Sequence, residues 1–432
     1  MINHKKTNTV RRVAMFSVHG DPLAKIGSSQ SGGQNVYVYE LSRWLAKTGW
    51  QVDIFCRWAD KKIGPKKKIG RRVTVVRFQA GELKVLPKED FLSHLETFFT
   101  HFLTYKKDNK IQYDIIHGHY WDGGLLATHA QELLKIPFIQ TFHSLGYVRN
   151  NTLKKFQKLP SGLEEEKFEK RFEIEKKIAR KADRIIAESP YEEDDLIRYY
   201  DVSNNRVVVI PAGVDTSAFS PQDKQKAREQ LQVERESRVL LYVGRLEWRK
   251  GIGTLITSLN SVIKKDPSNS YQLIIVGGSF NRNGDQADTL EYRRLMKIAE
   301  EYHLTDRIRF EGSIPQKKLS AYYAAADACV VPSYYEPFGI VPLEAMAMKL
   351  PVVASATGGL QFTVLNSETG LSVTPRDPFD LAEKILLLFN EQELRSRMVA
   401  NAHNRVIHDF NWKLISRRID TLYQQVIKDS KP

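Results

Sequence analysis

The sequence predicts an α/β protein in which two doubly wound, parallel-sheet domains face each other across a cleft. Three observations carry this expectation. Short apolar, β-branched runs alternate with amphipathic stretches along the whole chain, as they do when strands are buried on both faces under helices. A stretch rich in Gly, Ser, Pro and Asp, PAGVDTSAFSPQDKQ (211–225), lacks periodicity and divides the chain near its middle. His, Arg, Glu and hydroxyl residues gather directly after strand-like runs, where open parallel sheets bind ligands.

In the first half the runs are RRVAMFSV (11–18), QVDIFC (51–56), RVTVVRF (72–78), YDIIHG (113–118), IPFIQTF (136–142), ADRIIAES (182–189) and RVVVIP (206–211). Between the first two lies the helical pattern VYVYELSRWLAKTG, with Gly49 just past its end, where a helix C-terminus prefers glycine. In the second half the runs are RVLLYVGRL (238–246), YQLIIVGGS (271–279), RIRFEGSI (307–314), DACVVPSYY (327–335) and PVVAS (351–355). The domains so defined are 1–212 and 213–409. The helical tail FNWKLISRRIDTLYQQVIKD (410–429) is expected to return across the hinge, so that 410–432 joins the first domain.

The 432 residues are 42% hydrophobic and 27% charged, the balance of a globular protein with real cores. The polar opening MINHKKTNTVRRVAMF does not read as a signal peptide, and no run approaches a membrane span, so a cytoplasmic protein is expected. Cys56 and Cys329, far apart in apolar settings, read as buried free thiols. The net charge of +14 suits nucleic acid, an anionic membrane surface or phosphorylated small molecules. Its densest stretch, RWADKKIGPKKKIGRRV (57–73), reads as a solvated loop. No aromatic residues interleave through it for base stacking, so nucleic acid is not expected. Peripheral membrane contact through the basic surface stays open, and oligomeric state is not legible.

Gly32-Gly33-Gln34 at a helix start would let a ligand approach the backbone beside free N–H groups. It is not the G-x-G-x-x-G of dinucleotide folds, and a glycine pair alone is more often a packing device. HGHYWDGG (117–124) and TFHSLG (141–146) put His and hydroxyl groups at successive strand ends. They suggest a polar pocket, although a lone His is usually a structural hydrogen-bond partner. Arg245 and Lys250, in a strand-to-helix loop, suit a phosphate without being a P-loop. Glu336 precedes a helix opened by Phe338-Gly339, and Glu344 lies within it. They read as an acid–base pair, as two acceptors for one ligand, or as surface charges.

Taken in order, GGQNVYVYEL, GRLEWRKG and the Glu336/Glu344 spacing resemble the retaining nucleotide-sugar glycosyltransferases of the GT-B fold, family four, over nearly the whole chain. SGGQNVYV, LPKEDF, HYWDGG and FHSLG look closest to its sucrose-phosphate synthases, with the inositol-phosphate enzymes of the mycothiol pathway as near relatives. The resemblance implies two acceptors rather than an acid–base pair: Glu344 for the ribose hydroxyls and Glu336 for the donor sugar. Phe338, Gly339 and Ile340 would hold the sugar and diphosphate at the helix start, with Gly33 and Gln34 between donor and acceptor. Arg245 and Lys250 would stabilise the departing diphosphate. His143 would position the sugar through its backbone carbonyl.

An acceptor phosphate would be held by Lys88, Tyr120, Ser144 and Arg171, by the same resemblance. For Arg171, pairing with Glu175 one helical turn on is a sufficient alternative. The implied reaction moves glucose from UDP-glucose or ADP-glucose to fructose 6-phosphate, giving sucrose 6-phosphate. Inositol phosphate, free fructose or a lipid-linked sugar are alternative acceptors, and a non-catalytic nucleotide-sugar or polyanion binder is the alternative of another class. No cofactor is required on this reading, with Mg2+ at most a stimulant. Two departures stand out. Leu360-Gln361-Phe362 follows Gly358-Gly359 where many members carry Leu-Pro-Glu, and HSLGYVRNN lacks a lysine found in some sucrose-phosphate synthases, leaving Arg149 or Lys154 to stand in.

Overall fold

The computed structural model describes residues 10–24, 32–86, 88–155, 169–278 and 286–431. The first sheet contains β1 (Arg12–Phe16), β2 (Gln51–Arg57), β3 (Lys66–Ile69), β4 (Val73–Phe78), β5 (Ile115–His119), β6 (Phe138–Thr141), β7 (Arg184–Ala187) and β8 (Val207–Val209). They pair in the order β3-β4-β2-β1-β5-β6-β7-β8. The second sheet contains β9 (Arg238–Val243), β10 (Tyr271–Val276), β11 (Ile308–Gly312), β12 (Ala328–Val331), β13 (Val352–Ser355) and β14 (Leu371–Val373), in the order β11-β10-β9-β12-β13-β14. All pairs are parallel except β3 with β4. Each run named from the sequence is a strand, and the fold is two parallel-sheet α/β domains.

Two strands were not anticipated. Lys66–Ile69, inside the stretch read as a solvated loop, pairs antiparallel with β4 at the sheet edge with its three lysines exposed. An edge strand hydrogen-bonds on one side only, and outward lysines block further pairing, so its sequence carries no apolar signal. β14 is three residues long, too short for a periodicity to register.

Cores lie on both faces of each sheet. The helix Gly33–Lys47 buries Tyr37, Val38, Leu41 and Leu45 and ends before Gly49, whose φ is +107°. The helix Trp412–Asp429 packs beside it on the first sheet, although it follows the second sheet in sequence. Trp50 Nε1 donates to Asp420 at 2.8 Å, and Tyr423 meets His117 Nδ1 at 2.6 Å. The chain crosses between sheets twice, and the crossings touch: Val214 N donates to Phe410 O at 2.8 Å and Val214 bridges Asn411. The Asn411 side chain caps the final helix by accepting from Leu414 N. Cys56 and Cys329 are buried and free, and burial pushes both thiols up, which leaves them unreactive. Among the described residues no helix is long and apolar enough to cross a membrane.

Candidate active site

Strand order explains where the chemistry collects. The first sheet reverses direction between β1 and β5, and the second between β9 and β12. At such a point the loops leave neighbouring strands in opposite directions and open a crevice at the strand ends. The register keeps those ends level: Phe16 pairs with Phe55 and with Gly118, and Leu241 with Cys329. The two crevices face one another around one cavity, lined from the first domain by Gly33, Gln34, Tyr120, His143 and Ser144. The second domain contributes Arg245, Lys250, Glu336, Phe338, Gly339, Ile340 and Glu344. The lobes touch here, since a Cβ on Gly33 would lie 3.6 Å from Ile340 Cδ1.

On the second-domain wall the charges are packed in pairs. Arg245 and Arg249 share Glu247, at 2.6 and 2.7 Å, and Lys250 Nζ lies 2.5 Å from Glu336 Oε2. Burial alone would raise both carboxyls, but the neighbouring cations overrule it: Arg245 and Arg249 hold Glu247, and Lys250 and Arg249 hold Glu336, below the usual carboxylate range. Burial lowers Lys250, opposed by Glu336. Three cations against two carboxylates leave a local positive excess, the sign an anionic ligand needs. Gly339, at φ +96°, opens the helix Ile340–Ala347, whose first N–H groups add to that potential. The Glu336–Phe338 kink rests on the glycine pair behind it. Gly359 N donates to Glu336 O at 3.0 Å, and a Cβ on Gly358 would sit 2.3 Å from that oxygen.

Glu344 is different. It is buried with Tyr323 OH donating at 2.6 Å, and burial, against which that hydrogen bond works, pushes its carboxyl up to about 7. A carboxyl whose folded pKa exceeds its unfolded value stabilises the fold below the unfolded pKa and loses that contribution as pH rises through 7. The stability of the unliganded protein relative to Glu344→Gln should therefore fall by about 1–3 kcal/mol between pH 5 and pH 8. Urea midpoints of the two proteins measured across that range test this. Parallel profiles would rule it out.

On the first-domain wall, His143 has φ +58° and its ring is fully engaged. Nδ1 faces Glu188 Oε2 at 3.3 Å and Nε2 faces His119 Nδ1 at 3.0 Å. The other nitrogen of His119, Nε2, is buried without a hydrogen-bond partner among the described residues. Burial, with His143 beside it, pushes His117 down to about 3, so that imidazole is neutral and structural. Gln34 is fixed by donation to Ser17 Oγ at 3.1 Å.

Tyr120, Ser144 and Arg171 form one cluster. Arg171 donates to the Tyr120 hydroxyl and to Glu175, both at 2.6 Å, and to the Ser144 carbonyl. Its guanidinium lies 4.4 Å from the Tyr120 ring centre. Arg171 thus stands one layer behind the cavity wall, and the Glu175 pair anticipated from the helix is present. Lys88 begins the short helix Lys88–His94; its side chain lies outside the described residues. Of the two possible stand-ins, Arg149 lines the cavity and Lys154 does not. Residues the motifs did not single out also line it: His19, Glu188, Arg249 and Tyr335. Glu188 follows β7 directly, so the strand-end rule that drew attention to His143 would have found it.

The chain belongs to the glycosyltransferases. Residues 31–218 match the family described as Glycosyltransferase Family 4, and residues 223–405 that described as Glycosyl transferases group 1. D-inositol 3-phosphate glycosyltransferase from Corynebacterium glutamicum is 33% identical over 421 residues, covering 96% of this chain and 97% of that one. The Frankia alni protein of the same name is 33% identical over 414 residues, covering 95% and 98%. Among solved structures, sucrose-phosphate synthase from Thermosynechococcus elongatus superposes with a TM-score of 0.87 at 37% identity, covering 97% of this chain and 100% of that one. Anabaena HepE in complex with UDP and glucose shares the fold at a TM-score of 0.72 and 19% identity, covering 95% and 99%.

Proposed function

We propose that this glycosyltransferase moves glucose from UDP-glucose or ADP-glucose to fructose 6-phosphate with retention, giving sucrose 6-phosphate. One observation carries the reading: the Tyr120–Ser144–Arg171 cluster stands across a single cavity from Arg245, Lys250 and Glu336. Hydroxyl donors backed by a guanidinium suit a dianionic acceptor phosphate, where charge-assisted hydrogen bonds are strongest. The opposite wall suits a sugar diphosphate. Glu344 would accept from the ribose hydroxyls, and Glu336 from the sugar. Phe338, Gly339 and Ile340 would present their backbone N–H groups, and Gln34 and Gly33 would lie beside the transferred group. As the bond from the anomeric carbon to the diphosphate lengthens, charge grows on the leaving oxygens. Arg245 and Lys250 would bind that charge more tightly than the ground state, which is how such contacts lower a barrier. The ring of His143 is occupied by Glu188 and His119, so its contribution would come from its carbonyl.

The likeness to a sucrose-phosphate synthase structure favours fructose 6-phosphate. The names of the curated relatives favour an inositol phosphate as the second reading, and both acceptors carry the phosphate the cluster suits. Incubating the protein with UDP-glucose and ADP-glucose against fructose 6-phosphate, D-inositol 3-phosphate and free fructose, with products identified by mass, separates them. The expected product is a hexosyl fructose phosphate. Transfer to inositol phosphate alone would move the assignment to the second reading, and binding of nucleotide sugar without any transfer would overturn both.

A further inference from the structure

We propose that Tyr335, carried by the second domain, completes the acceptor-phosphate site from across the cleft, so that a phosphorylated acceptor is held tightly only when the two lobes are closed. This rests on the reading of Tyr120, Ser144 and Arg171 as the acceptor-phosphate cluster. The Tyr335 hydroxyl lies 3.2 Å from Ser144 Oγ, joining residues 191 positions apart in sequence. The side chain is buried and lines the cavity together with Tyr120, Ser144 and Arg149. Burial raises its phenol, while Ser144, Arg171 and Arg149 pull it the other way, so the hydroxyl sits in the positive field of both guanidinium groups.

Its position is set by the opposite wall. The Tyr335 carbonyl accepts from Arg249 Nη1 at 3.3 Å, and Tyr334 N donates to Arg249 O at 2.7 Å. The next residue is Glu336, paired with Lys250. One rigid loop therefore carries a donor-side carboxylate and an acceptor-side hydroxyl. In the Ser144–Tyr335 pair one hydroxyl must accept from the other. A phosphate dianion between them would accept from both, and such charge-assisted bonds are the stronger ones.

Coupling follows. A nucleoside diphosphate at Arg245, Lys250 and Glu344 and a phosphate at Tyr335 favour the same closed arrangement, so each must tighten the other by the same factor. The test uses the full-length protein and whichever of fructose 6-phosphate and D-inositol 3-phosphate the wild type binds. Its Kd is measured by calorimetry with and without saturating UDP, for wild type and Tyr335→Phe. UDP is expected to tighten acceptor binding about tenfold in the wild type, the value of one hydrogen bond to a charged group. In Tyr335→Phe the factor should fall to near one, with the Kd for UDP alone unchanged. Coupling that persists in Tyr335→Phe while Ser144→Ala weakens acceptor binding would overturn this inference and leave the acceptor reading standing. A wild type that binds neither sugar phosphate would remove both.

Discussion

Replacing Lys250 with alanine should lower turnover by about two to three orders of magnitude, the cost of removing one preorganised group aimed at transition-state charge. Lys250 is fixed for that task by its 2.5 Å contact with Glu336, itself held by Ser333 Oγ at 3.3 Å. The variant carries a second defect. Lys250 is the first among the cations that keep Glu336 ionised against burial, so its loss leaves a carboxylate short of a partner, at about 1–3 kcal/mol of stability. The effects separate in the double variant Lys250→Ala with Glu336→Gln. Its melting temperature should recover most of the loss, while turnover should not recover. Steady-state rates and calorimetry on the three proteins decide it. Normal turnover in Lys250→Ala would end the charge-stabilising role.

Gly251→Ala should damage both stability and donor binding. Gly251 has φ +71°, a region that costs an alanine about 1 kcal/mol. An added Cβ would lie 1.9 Å from Pro332 O and 3.0 Å from Tyr334 Cε1, an overpacking worth about 1–3 kcal/mol more. The loop after β9 rests directly on the loop after β12 at this point, so relief must push Lys250 away from Glu336. A fall in melting temperature of about 5–10 °C is expected, together with weaker UDP binding. A melting temperature within about 1 °C of wild type would show that the two loops are not in the contact described.

The strands were legible because burial on both faces forces continuous β-branched runs, and a run such as QLIIV has no other reading at that length. What stayed hidden obeys other rules. The edge strand Lys66–Ile69 is stabilised by backbone pairing and wears a surface composition. The strand-end rule brought Tyr120, His143, Arg245 and Glu336 to one cavity because chain order and sheet order conspire at each reversal point. Arg171 sits on no strand end; its helix pairs it with Glu175, and only the fold brings it against Tyr120. Tyr335 was invisible for a related reason. Its partner, Ser144, lies in the other domain, and no local pattern encodes a contact made by closing two lobes.

The twin strands of backbone at Val214 and Phe410–Asn411 govern how the protein can be taken apart. Because they run side by side, like two pins of one door, they favour a swing over a free twist. A stop codon near residue 410 would not yield an intact first half. It would strip the first half of Trp412, Ile415, Ile419 and Tyr423 and bare Tyr37 and Trp50 to water. A first-domain fragment would need the terminal helix to keep Tyr37 and Trp50 covered.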